Sequence, residues 1–594
     1  MRTASSGRKP LGWLALVFVF AGVIGMETWA AFSYQGYAMT HDESEHIHVV
    51  YALQRGERPY RDFIENHPVL PHLLLRGYAQ FAGITQPEKV YGAARLAIAA
   101  HFLGALLVAW LLLREWSRRL AGGARGAAMF LGAVTFSGVW LQTHEWQWGH
   151  RALWHVRPDW IYVFYALTGT WLHYRHFNRL LSGRVDGVGS LLVGAACSAV
   201  ALAVLAKSVL IFLPYIVAIG LTAMAWPAWA TRSWRSNWRP LLLHNLMFVL
   251  VAGGLICLLV ATEVAATGVT LRDYVTANLT LNSIKHMPVN AYDFNPMNVL
   301  RSLWGFGLVG GILASTWYVL KFVGAVRRDD PRAAGGLLMF GAVIAINAVL
   351  PAYGNGLTWP HYLIPSLLAL WALSTWLIVD AVDLASAALA PGGRLATAVP
   401  DGSSIPTIAA AALGIAVSLV IGQRIYAAVD RVAGTIQVRA ETARLLDAEL
   451  PAFLPERWLP QDLVYMVFEP NQKPANARAW GYFHMLSQDT RWWVDNHRYG
   501  LGPDPTTYWK DLFLSSPPDV VAISGFEAFL YRWQRLRLSQ RTDIDWLWAR
   551  LVSDYDCVSN LMLQVYVRKD LRHRFDARHW KPCAPQHAVF VGAD

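Results

Sequence analysis

Nine consecutive residues, Thr40-His41-Asp42-Glu43-Ser44-Glu45-His46-Ile47-His48, follow an apolar run from Leu11 to about Ala31. Their carboxylates and imidazoles are the groups that take protons from hydroxyl nucleophiles or ligate metals. Titratable side chains beside a bilayer are costly to hold there without a task. A second group, His155-Val156-Arg157-Pro158-Asp159, opens another apolar run. The two segments outline an active site at a membrane face, with Asp42, Glu43 and Asp159 as candidate catalytic carboxylates.

Several of these residues also have a structural reading. Thr40 and Glu43 form a capping box, and acidic residues in a first helical turn favour the helix dipole. Asp159, just after Pro158, suits a helix start for the same reason. Glu43 and His46 are candidate ligands for a divalent metal, with Glu45, His41, His48, His67 and His72 nearby. His46 and His48 are two apart and do not face each other on a helix, and no HExxH spacing is present. In segment 143–157, Trp148 and His155 are placed to meet a sugar ring, although Trp at a membrane boundary is also an ordinary anchor. Lys207, between two apolar runs, either snorkels to the interface or pairs with a lipid phosphate. His361 and Tyr362 open a later apolar run and are candidates for the same anion.

The elements that must position these groups are membrane helices. Of the 594 residues, 55% are hydrophobic and 15% charged, against roughly 25% charged in soluble domains. Mean hydropathy is +0.30. An ordinary soluble enzyme is excluded. Eleven or so spans are expected near 11–31, 91–113, 125–143, 158–177, 188–204, 208–226, 241–262, 298–320, 335–352, 361–380 and 405–425. Leu11–Ala31 reads as a retained signal anchor. Alternate loops are basic (Arg114, Arg118 and Arg119; Arg175, Arg179 and Arg184; Arg232, Arg235 and Arg239), which assigns them and the N-terminus to the cytoplasm. The net charge of +11 is thereby explained without nucleic acid. Segments 32–90, 144–157 and 263–297 and the C-terminal part then face outward, so both acidic segments share one side.

Segment 32–90 is expected to hold two interfacial helices, one from the Thr40 cap to about Arg55 and Gly56, the other from Leu73 to Phe81. Pro68 and Pro71 punctuate the approach to the second. After about Tyr426 the composition turns polar. An amphipathic helix is expected over 431–450, then strands at Asp462–Phe468, Asp519–Ser524 and Met562–Arg568 within a small α/β domain. The chain thus divides into a transmembrane domain, 1–425, carrying the interfacial loop 32–90, and a periplasmic α/β domain, 426–594. No GxGxxG or P-loop sequence supports nucleotide binding. Cys557 and Cys583 lie in the exported part and are candidates for a disulfide; Cys197 and Cys257 lie in apolar runs.

An acidic pair in the first outer loop, followed by Gly56-x-x-Pro59-Tyr60-x-Asp62 and Asn66-His67-Pro68, resembles the GT-C glycosyltransferases. Within that group the pattern is similar to protein O-mannosyltransferases, lipid A aminoarabinose transferases and bacterial homologues that modify envelope glycans. Arg157-Pro158-Asp159 is similar to their second outer-loop acidic motif. Ala206-Lys207 with Pro214 resembles their Thr-Lys motif, and His361-Tyr362-x-x-Pro365 their Arg-Tyr-x-x-Pro motif, with Ala206 in place of Thr and His361 in place of Arg. The resemblance runs in order over about residues 10–425. It implies a multi-pass protein of the inner (plasma) membrane that takes a sugar from a polyprenyl-phosphate donor to an envelope glycan, lipid or protein acceptor. Asp42 would deprotonate the acceptor hydroxyl in an inverting displacement, with Glu43 beside it. Lys207, Arg157, His361 and Tyr362 would hold the donor phosphate. Asp159 would position the acceptor, the base or a divalent metal, and His67, Trp148 and His155 would contact substrate. No other cofactor is implied. The competing reading is a non-enzymatic polyprenyl-lipid transporter or an inactive scaffold of the same kind. Transporters more often carry mid-membrane polar residues in repeated halves, and no repeat is visible here.

Overall fold

The computed structural model describes residues 41–59, 67–84, 87–119, 158–181, 187–204, 238–275, 319–324, 464–467, 478–479, 513–524, 541–559 and 563–574, with one or two positions at a time between them. The described residues belong to two compact units. One contains Leu96–Thr262; the other contains Ala31–Arg95, Glu263–Lys285 and Thr435–Asp594.

In the first unit, α3 (Pro87–Trp116, which begins in the other unit) and α6 (Trp238–Thr267, which ends there) are 30 residues each. That is about 45 Å at 1.5 Å per residue. Within them Lys89–Glu115 and Leu242–Thr267 are long and apolar enough to cross a membrane. On α6, Leu243, Leu246, Leu250 and Leu258 are exposed in one stripe, the face a membrane helix presents to lipid. Between these helices in sequence lie α4 (Pro158–Leu181) and α5 (Val188–Val204), which coincide with two expected spans. Pro158 opens α4, where its missing N–H costs nothing and its fixed φ suits the first turn. The two helices meet through small residues: a Cβ on Gly194 would lie 3.2 Å from Leu172 Cβ, and one on Gly169 would run into Ser198 and the Gly194 carbonyl. Leu191 and Ala195 of α5 pack on Phe248 and Ala252 of α6. Close backbone approach between small residues is how membrane helices associate where burial from water supplies no drive.

In the second unit, α1 (His41–Gln54) and α2 (Leu70–Phe81) occupy the first long loop. Each ends in a Schellman motif. After α1, Glu57 N–H donates to the Ala52 carbonyl and Gly56, at φ +82°, to that of Leu53; after α2, Ile84 donates to Ala79 and Gly83, at φ +66°, to Gln80. Val49, Ala52 and Leu53 of α1 pack against Val69 and Leu73. The end expected at Gly56 is where α1 stops. Helix α2 begins at Leu70 rather than Leu73, because Pro71 sits inside the first turn, a position that needs no donor. Thr40 lies outside the described residues. The short α7 (Leu271–Val275) follows α6 after Gly268.

The C-terminal sheet has the order β2-β1-β3-β5-β4, formed by β1 (Val464–Val467), β2 (Arg478–Ala479), β3 (Val520–Ser524), β4 (Tyr555–Ser559) and β5 (Leu563–Arg568). Strands β1, β2 and β3 are parallel, while β5 runs antiparallel to both β3 and β4. Helix α8 (Arg541–Asp554) contributes Leu547 and Leu551 to a core with Phe513, Val521 and Tyr566. Three strands fall where the sequence places them; β2 and β4 are additional. The expected helix over 431–450 and the spans near 11–31, 125–143, 208–226, 298–320, 335–352, 361–380 and 405–425 lie wholly or mostly outside the described residues.

Candidate active site

Helix α1 carries the acidic pair in its first turn: Asp42 and Glu43 are helical, four and three residues before His46. The side chains of residues 41–45 and of His48 lie outside what the structure describes. His46 is buried, and its Nδ1 lies 2.9 Å from Nε2 of the equally buried His72 on α2. One of these two nitrogens must donate and the other accept, so the pair carries at most one positive charge. The His67 ring meets His46 edge-on at 5.1 Å. Three of the histidines noted in the sequence therefore converge one helical turn from the candidate base. Among the described residues no group of three or more His, Cys, Asp or Glu has metal-binding geometry. A site using Glu43 falls outside that statement.

Helix α2 lacks a capping side chain of its own at Val69. Glu263, near the end of α6, supplies one: its Oε1 accepts the Leu70 N–H at 3.0 Å and its Oε2 the Val69 N–H at 3.3 Å. The Tyr274 hydroxyl also donates to this carboxylate. Burial first, and the neighbouring Glu263 second, push the Tyr274 hydroxyl well above the usual phenol range, which keeps it a donor. Glu263 is almost completely buried.

Asp159 stands in the first turn of α4, only 6% exposed. The unsatisfied N–H groups and the dipole of that helix end offset the cost of burying a carboxylate. The adjacent Trp160 packs edge-on against Phe102 of α3 at 4.6 Å. Helix α3 also holds Arg95, fully buried within the membrane-crossing stretch, with its guanidinium 5.5 Å from the Tyr91 ring centre. A buried guanidinium facing an aromatic ring gains cation–π energy and is a strong anion-binding group.

Of the residues expected at the site, His46, His67, His72 and Asp159 are described. Arg157, Lys207, His361, Tyr362, Trp148 and His155 lie outside the described residues, as does Cys583. Cys557 is disulfide-bonded, whereas Cys197 and Cys257 are free. Arg95 and Glu263 were not anticipated. The signal for both was present: each is a lone charge in an otherwise apolar stretch, and such residues mark function by default.

No protein-family model matches the sequence, and no curated protein does. Solved structures do match. ArnT from Cupriavidus metallidurans bound to undecaprenyl phosphate is 15% identical, with a TM-score of 0.50, covering 97% of this chain and 100% of that one. The apo oligosaccharyltransferase of Archaeoglobus fulgidus is 11% identical, with a TM-score of 0.50, covering 95% of this chain and 75% of that one. The chain shares the fold of these two structures, and that shared fold agrees with the resemblance of its loop motifs.

Proposed function

We propose that this protein is an inverting glycosyltransferase of the plasma membrane that moves a sugar from a polyprenyl phosphate to an envelope glycan, lipid or protein on the outer face. The observation that carries the reading is Asp159, a carboxylate buried at the start of a helix in a chain of GT-C fold. The relative in the ArnT structure binds undecaprenyl phosphate, which supports a lipid-linked donor here.

In this reading Asp42 takes the proton from the acceptor hydroxyl while that oxygen attacks the anomeric carbon, and the lipid phosphate departs from the opposite side. Glu43 shares the first turn of α1. The His46–His72 pair packs one turn along and holds the helix in place. Asp159 orients the acceptor or the base. Lys207, Arg157, His361 and Tyr362 hold the phosphate, and we add Arg95, whose fixed charge offsets the charge that develops on the leaving group. His67, Trp148 and His155 contact the sugars. If a divalent metal takes part, Glu43 and His46 are its candidate ligands, and it would polarise the departing phosphate.

The test is reconstitution. Purified protein in nanodiscs, given synthetic undecaprenyl-phosphate sugars and an envelope extract, should transfer label with inversion at the anomeric carbon. Mass spectrometry of envelope glycans from a deletion strain identifies the acceptor. An unaltered glycan profile together with no transfer from any such donor overturns the reading.

A further inference from the structure

Helix α6 is an apolar membrane helix that carries a buried carboxylate one turn before its end, and Glu263 is fully engaged there. Both of its oxygens accept backbone N–H groups from a helix start 193 residues away in sequence, and Tyr274 adds its hydroxyl from α7. A carboxylate bonded to two successive N–H groups fixes both the place and the rotation of a helix N-terminus, since it answers the orphan donors and the dipole together. Gly268 also lies near Arg58, just beyond the end of α1: a Cβ added at Gly268 would be 3.6 Å from the Arg58 guanidinium.

What Glu263 fixes is then read along the chain. His72 is three residues after Val69 in the first turn of α2, and its ring meets His46. His46 belongs to the helix whose first turn holds Asp42 and Glu43. The caps at the C-terminal ends of α1 and α2 are made by their own backbones. Among the described ends of these two helices, the start of α2 relies on a distant side chain.

We propose that Glu263 is a positioning residue for sugar transfer: by capping α2 it seats His72 against His46 and so sets the helix that presents Asp42 and Glu43. It touches no substrate. The proposal rests on the glycosyltransferase reading above, and its test separates the two.

The full-length protein in nanodiscs is compared with Glu263→Ala, Glu263→Gln and Tyr274→Phe. The first readout needs no activity: diethyl pyrocarbonate labelling of His46 and His72, followed by peptide mass spectrometry, with His173 as an internal reference. Loss of the cap opens α2 locally, so labelling in Glu263→Ala should rise at least about threefold while His173 holds. The second readout is kinetic. A positioning role lowers kcat, by at least about tenfold in Glu263→Ala, and leaves the acceptor KM within about twofold. Glu263→Gln keeps an acceptor oxygen and most of the volume, so it should recover part of both. Tyr274→Phe should shift both in the same direction by less, and it serves where Glu263→Ala fails to fold. Unchanged labelling in all variants overturns the cap. Raised labelling with unchanged kcat overturns the positioning role. A wild type that transfers no sugar sinks the glycosyltransferase reading and the positioning role with it, and labelling then decides the cap alone.

Discussion

Asp159 and Asp42 hold equivalent local places, each within the first turn of a helix, where backbone N–H groups point at an anion. That setting explains how a carboxylate is tolerated there. Asp42→Asn and Asp159→Asn should each lower turnover at least about a hundredfold, the lower range of a general-base contribution, in protein that stays monodisperse. Near-normal turnover in both would remove them from the site. Arg95 makes a separable prediction. Arg95→Gln should weaken undecaprenyl-phosphate binding at least about tenfold while acceptor binding holds, and Arg95→Lys should recover only part, because an ammonium lacks the planar fork. Lipid affinity measured in nanodiscs decides it. At this scale the sequence marks residues that cluster in one short segment, such as Asp42 with His46, or that abut a motif, such as Asp159. It marks Glu263 as a lone charge in an apolar run but hides its partners, Val69 and Leu70, which lie 194 and 193 positions away.

At the scale of elements, legibility follows period and length. The long helices α3 and α6 are mostly apolar runs, each carrying one buried charge, and they and α4 are found from the sequence within about five residues. Strand β2 is two residues long, too short to carry an alternation. Strand β4 follows α8 with no intervening residue, so no Gly or Pro announces the change. Helix α2 starts three residues before the expected Leu73, because proline, a breaker within a helix, is welcome in a first turn. The α4–α5 pair depends on small residues: Gly169→Leu should drive those helices apart and abolish monodisperse protein on size exclusion, whereas the same change at Gly253, which has nothing nearby, should be tolerated. The C-terminal sheet predicts a pH response. Burial pushes the Tyr555 and Tyr566 hydroxyls well above the usual phenol range. Their contribution to stability is therefore fully present below the unfolded phenol pKa of about 10 and is lost as pH rises toward the folded value. Tyrosinate absorbance followed with circular dichroism should show these rings ionising only as the sheet melts, not in a separate earlier step.

Over the whole molecule, the positive-inside rule expects segments 32–90, 144–157 and 263–297 and the C-terminal part on the outer face. Ala31–Arg95, Glu263–Lys285 and Thr435–Asp594 belong to one compact unit, whereas segment 144–157 belongs to the other. The cysteines offer the sharpest check of an exported C-terminal domain. Cys557 is disulfide-bonded, and Cys197 and Cys257 are free. We propose Cys583 as the partner, closing a loop of about 25 residues and stabilising the domain by about 3 kcal/mol, an effect that requires an oxidising compartment. Thiol labelling of protein denatured without reductant should then modify Cys197 and Cys257 alone, with Cys557 and Cys583 labelling only after reduction. Labelling of all four before reduction removes the disulfide. A C-terminal tag that proves cytoplasmic removes the topology, and with it the assignment of both acidic segments to the outer face where a lipid-linked donor would meet them.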